Sequence, residues 1–167
     1  MKSALLLLLV AGCGLIPFDV DQDIPEQRIA GNPLGGILPS FLSAPVPLMI
    51  DLKAETQKRD TGPAKSANLK ALRFAATPHA APSGNFDFLD EIHIYIDSQS
   101  QASLGKKEIA RLSPVPKGQT TIELQVIDGV DLLPYINAGA EISAAASGRQ
   151  PTMDFTYDGH VTITVHI

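Results

Sequence analysis

Cysteine is nearly missing from this sequence: Cys13 is the single one in 167 residues. One thiol builds neither an intramolecular disulfide framework nor a four-thiolate zinc site, so the chain must be held together by its core. Basic residues are also short, with 13 Lys and Arg against 18 Asp and Glu for a formal net charge of −5. A nucleic-acid binder gathers Lys and Arg on one face to displace phosphate counterions, and this balance argues against that class. No periodicity long enough for a large helix occurs, and no apolar run approaches the roughly 20 residues that a membrane-spanning helix requires. Internal repeats and low-complexity tracts are absent too. What remains is enough chain for one domain with a proper core, and two full domains are not expected.

Signatures of catalysis are equally scarce. The four histidines, His79, His93, His160 and His166, include no i, i+4 pair and no H-E-x-x-H, and they read as surface residues on polar strand faces. No G-x-S-x-G elbow surrounds a serine, since Ser83-Gly84 and Ser147-Gly148 lack its flanks. Gly35-Gly36 sits among prolines rather than between a strand and a helix, so it is not a phosphate-binding loop. Asp19, Asp21 and Asp23 begin like a D-x-D-x-D calcium loop, but Ile24 stands where that loop needs Gly and Ala30 where it needs Glu. The three carboxylates read instead as the exposed face of an edge strand, where like charges repel and discourage edge-to-edge pairing. No catalytic residue, metal ligand or cofactor is assigned from the sequence.

The first fourteen residues carry the strongest pattern. Met1 to Gly14 reads MKSALLLLLVAGCG, with one positive charge at Lys2, an unbroken apolar run from Ala4 to Ala11, and small residues leading to Cys13. That order is the order of a secretory signal. Val10, Ala11, Gly12 and Cys13 resemble the lipobox of bacterial lipoproteins, in which a large aliphatic and two small residues precede a cysteine. The resemblance implies cleavage between Gly12 and Cys13, acylation of the Cys13 thiol with chains such as palmitate, and a mature protein anchored to a membrane without spanning it. The residue types suit that chemistry: a thiolate is nucleophilic enough to take a diacylglyceryl group, and small residues let an extended backbone enter a peptidase. Each buried acyl methylene contributes about 0.8 kcal/mol, so two or three chains hold firmly without help from the polypeptide. In this family an Asp after the cysteine implies retention at the inner membrane. Gly14 stands there, which implies the outer membrane, facing periplasm or cell surface. The remainder resembles small envelope lipoproteins in overall pattern only, and no motif in it transfers a function.

Beyond the signal the pattern is one of short strands. Phe18 to Ile24 alternates apolar and polar residues, as a half-buried edge strand does, and Leu34 to Met49 is apolar but broken by prolines. Met49 to Ala54, Asn68 to Thr77, Lys107 to Leu112, Thr120 to Ile127 and Glu141 to Ala146 read as further strands. Ile92, Ile94 and Ile96 alternate with His93, Tyr95 and Asp97 in the clearest strand signal. The last stretch, Thr152 to Ile167, is expected to fold back at Asp158-Gly159, a dipeptide favoured in tight hairpins. One helical interlude, Asp131 to Asn137, is expected to be capped by Asp131 and ended by Gly139.

The expected fold is all-β: an antiparallel β-sandwich of about eight short strands with one short helical crossover, a closed β-barrel being the alternative. The expected organisation is a signal peptide over 1–12, a lipidated Cys13 with edge strand and Pro/Gly-rich apolar segment over 13–47, and the sandwich over 48–167. The expected function is that of a lipid-anchored envelope protein with a non-catalytic structural or binding domain. Rival readings are an envelope-polymer hydrolase, and a subunit or assembly factor of an envelope complex. The membrane, through the lipid anchor, is one expected partner. A protein meeting the apolar Leu34–Met49 segment or the Leu133 to Ile136 turn is another.

Overall fold

The computed structural model describes residues 16–38, 45–79 and 84–167. Gly12 and Cys13 lie outside the described residues, as do Phe41 and Leu42 of the apolar segment.

Among the described residues nine strands and two short α-helices follow one another as β1 (Phe18–Ile29), β2 (Val46–Pro47), α1 (Leu52–Lys58), β3 (Ser66–Ala76), β4 (Leu89–Ser98), β5 (Lys107–Leu112), β6 (Thr121–Glu123), β7 (Gln125–Val126), α2 (Leu133–Asn137), β8 (Ala140–Gly148) and β9 (Phe155–His166), with a single 3-10 turn at Ala102–Leu104 between β4 and β5. They form two sheets, β1-β9-β3-β6 and β2-β8-β4-β5-β7. Every pairing is antiparallel. Alternation along the strands sends one row of side chains inward from each sheet. Ile92, Ile94 and Ile96 of β4 meet Leu72 and Phe74 of β3 and Val161, Ile163 and Val165 of β9 in a single buried core. This is an all-β sandwich.

On one side the chain itself crosses between the sheets. Thr120 to Ile127, which alternation reads as one strand, divides at Leu124: β6 pairs with β3 in one sheet and β7 with β5 in the other. The Leu124 amide donates to Leu72 O and the Ile127 amide to Ile109 O, so the switch costs no backbone hydrogen bond there. On the other side β1 and β2 share no backbone pairing among the described residues, and Gln22 Nε2 lies 3.5 Å from Pro47 O. The sheets do not close into a barrel.

Two expectations are corrected. Met49 to Ala54 is not a strand, because Asp51 accepts a hydrogen bond from the Ala54 amide and starts α1, which buries Leu52 and Thr56 on one face. The Asp158-Gly159 pair does not turn the chain. It lies in the middle of β9, where Gly159 faces Ile24 of β1 on one side and Phe74 of β3 on the other. A Cβ at Gly159 would stand 2.8 Å from the Phe74 ring, so here glycine serves close packing across a strand rather than a turn. The strand β1 also runs on past Pro25, with a bulge between Ile24 and Gln27 that lets an edge strand accommodate the proline.

The two ends of the sandwich are covered differently. At the end where β1 begins, α1 and α2 lie over the core. Asp131 accepts from the amides of both Ala67 and Leu133, tying the start of α2 to β3. Tyr135 is buried, its hydroxyl donating to the carbonyls of Leu104 and Gly105 at 3.0 Å, and burial raises its pKa. At the opposite end a strap over 30–38 lies along 149–154, through Asn32 N to Pro151 O, Gln150 N to Gly36 O and a bridge between Ile37 and Arg149. Leu38 is buried there, while Leu34, Ile37 and Met153 are 96%, 89% and 52% exposed.

Candidate functional site

The outer face of the first sheet carries a trough of about 510 Å³. Its chemistry comes from Asp23 and Glu26 of β1, Arg73 of β3, Asp158 and His160 of β9, and His79 beyond the end of β3. These residues share one face because strand side chains alternate, and the antiparallel register sets Arg73 and Asp23 on either side of His160. The aspartates that alternate along β1 are not idle charges repelling one another. Asp19 accepts from Lys70 and from Thr164 Oγ1, and Asp21 from Thr162 Oγ1 at 2.7 Å. The bonds from Lys70 and then Thr164 hold the Asp19 carboxyl below its usual range.

His160 lies between the other two carboxylates, its Nδ1 2.7 Å from Asp23 Oδ1 and its Nε2 3.3 Å from Asp21 Oδ1. The Asp23 contact is the main reason its pKa is raised, against a smaller opposing effect of burial. His79 stands 3.3 Å from Glu26. Hydrogen bonds from Thr77 and then His79 lower the Glu26 pKa. Arg73 has no ion pair among the described residues. With three carboxylates, one guanidinium and two imidazoles, the trough is electronegative whenever the imidazoles are neutral. It can receive a cationic or hydrogen-bond-donating group.

A second polar network occupies the outer face of the other sheet. His93 Nδ1 stands 2.6 Å from Glu108 Oε1, and because an ionised carboxylate only accepts, that nitrogen carries the proton. Its Nε2 lies 3.8 Å from Glu91 Oε2, and Glu91 in turn accepts from Ser113 Oγ and Ser147 Oγ at 3.3 and 3.1 Å. Serine, imidazole and carboxylate are therefore all present, but in an order that does not activate a nucleophile. Nucleophilic catalysis needs the hydroxyl against the imidazole, and here Glu91 stands between the two. His93 stacks on Tyr95, over which Lys106 is placed.

The sequence expectations distribute over these faces unevenly. His93 belongs to the second sheet and His160 and His166 to the first, so the three do not meet. No group of three or more His, Cys, Asp or Glu among the described residues is arranged to hold a metal. Asp87 accepts from the Gly118 amide and Asp90 pairs with Lys117. Asp131 is not the cap of α2: Leu132 holds that position, and Asp131, one residue earlier, accepts from the Leu133 amide and ties the start of the helix to β3. The pairing of His160 with Asp21 and Asp23 was not read from the sequence, because it joins residues nearly the whole chain apart. The period-two spacing of the aspartates was its only local trace.

No family model and no curated protein matches the chain. Solved structures give weak likenesses only. A chain from the structure of turnip yellow mosaic virus aligns with 11% identity over 90% of this chain and 94% of its own length, at a TM-score of 0.27. A chain of desmodium yellow mottle tymovirus aligns with 10% identity over 99% and 94%, at a TM-score of 0.24. Likenesses at these scores carry no argument about function, and the chain is described by its own geometry: an open β-sandwich with a polar trough on one outer face.

Proposed function

We propose that this chain is a lipid-anchored protein of the bacterial cell envelope, held at the outer membrane through Cys13, whose β-sandwich binds or supports a partner and does not catalyse a reaction. The observation that carries the reading is the lipobox-like Val10-Ala11-Gly12-Cys13 series set immediately before the folded domain, whose first strand begins at Phe18. Five residues reach at most about 17 Å, so an acylated Cys13 would hold the domain close to the headgroups, at the end where β1 starts. The non-catalytic part of the reading draws support from the His93 network, where Glu91 separates the imidazole from both serines. It also draws on a trough whose two histidines are each turned to carboxylates.

A second reading, a subunit of an envelope assembly, is favoured by the exposed Leu34, Ile37 and Met153, which sit at the end of the sandwich away from Phe18. The two readings share the anchor. It is tested by labelling cells that express the chain with palmitate: the chain takes up label and fractionates with membranes, and Cys13→Ser abolishes both. Equal label in the Cys13→Ser variant would sink the assignment.

A further inference from the structure

We propose that His160 is a proton-operated clamp on the edge strand β1: as an imidazolium it bonds Asp23 through one ring nitrogen and Asp21 through the other, and loss of the proton frees one bond and loosens the strand. The geometry requires two donors. Nδ1 is 2.7 Å from Asp23 Oδ1 and Nε2 is 3.3 Å from Asp21 Oδ1. Both partners are acceptors, and only the doubly protonated ring has two N–H groups. A neutral ring must turn one lone pair toward a carboxylate. The two aspartates belong to β1 and the histidine to β9, so the clamp acts across the ladder that joins the outermost strand to the sheet.

Every neighbouring element contributes to the balance. On β1, Glu26 is engaged with His79, and Asp19 with Lys70 of β3. On β9, Asp158 lines the same trough, and Thr162 donates to Asp21. On β3, Arg73 stands opposite His160 and opposes the positive ring. The carboxylates outweigh it, in keeping with the raised pKa. A folded-state value above the ordinary 6.5 means that the clamp is fully closed below 6.5 and opens as pH rises through the folded value. The clamp stands whether or not Cys13 is acylated.

The test uses the full chain in a His79→Gln background, which removes the other β1-facing imidazole. NMR titration of the His160 ring is expected to give a midpoint above 6.5 that falls in the Asp21→Asn/Asp23→Asn variant. Amide exchange across β1, corrected for its intrinsic pH dependence and referenced to β4, is expected to quicken by about threefold or more between about pH 5.5 and 8.5. His160→Gln removes that dependence. A His160 midpoint indifferent to the two aspartates, or a β1 exchange ratio as pH-dependent in His160→Gln as in its parent, overturns the proposal.

Discussion

Replacing Gly159 by alanine tests how tightly the middle of β9 is packed. A Cβ added there would lie 2.8 and 2.9 Å from two ring carbons of Phe74 and 3.1 Å from Ile24 Cβ. Phe74 cannot swing away freely, because it is buried and meets Tyr157 edge to face with ring centroids 5.4 Å apart. Forcing a methyl group into a filled core costs about 1–3 kcal/mol. Against this, alanine in an extended strand recovers about 0.5–1 kcal/mol that glycine loses in chain entropy. At the centre of both ranges the packing effect wins, and Gly159→Ala is expected to destabilise by about 1 kcal/mol. At about 2–4 °C of melting temperature per kcal/mol for a chain of this size, the shift is a few degrees in a thermal melt. Asp158→Ala, exposed and one residue away, should move it little. Phe74→Leu shortens the obstructing ring, so the double variant should lose less than the two singles together, with a coupling of about 0.5–2 kcal/mol. A neutral or stabilising Gly159→Ala, or strict additivity with Phe74→Leu, would refute the reasoning.

Three further outcomes are expected. Ile94→Ala should cost about 2–5 kcal/mol in denaturant unfolding, since Ile94 is fully enclosed. His93→Ala, one residue away on the outer face, should cost much less, and equal losses would mean that the faces of β4 are assigned wrongly. Gln22→Leu should stabilise by about 1 kcal/mol, because Gln22 Oε1 is buried without a partner among the described residues and its penalty of about 1–3 kcal/mol outweighs the long 3.5 Å contact of Nε2 with Pro47 O that is lost with it. A clear loss of stability in that variant would show that the amide is satisfied. Cys13→Ser should abolish palmitate incorporation, as set out above.

Strands with an apolar row on one face were legible because alternation is a local property. Ile92, Ile94 and Ile96, and Val161, Ile163 and Val165, face the core as their spacing predicts. What stayed hidden depends on partners far away in the chain. Asp158-Gly159 has the composition of a turn, and only the ring of Phe74 explains a glycine in mid-strand. Thr121 to Val126 alternates without interruption, and nothing local shows that Leu124 passes from one sheet to the other. The helix α1 did leave a trace, Asp51 as cap with Leu52 and Thr56 four apart, but Met49 to Ala54 alternates well enough to mask it. For the trough, the alternating aspartates of β1 are visible in the sequence and read there as an unpaired face. Their engagement depends on His160, Thr162 and Thr164 of the last strand and Lys70 of β3.

The ladder between the first and last strands has a mechanical side. β1 and β9 pair from Phe18 with Val165 at one end to Ile29 with Phe155 at the other, and their backbone bonds lie across the strand direction. A pull that enters at Phe18 and is resisted at the Phe155 end drags the strands past each other, so all these bonds bear load together. A pull between Phe18 and Ile167, which leave the sheet at the same end, peels them apart one pair at a time. The same ladder is therefore strong toward a load carried at the strap end of the domain and weak toward one carried at its C-terminus, and the anchor proposed at Cys13, which would attach the domain by its first strand, would make the direction of the tug decide how long the fold survives.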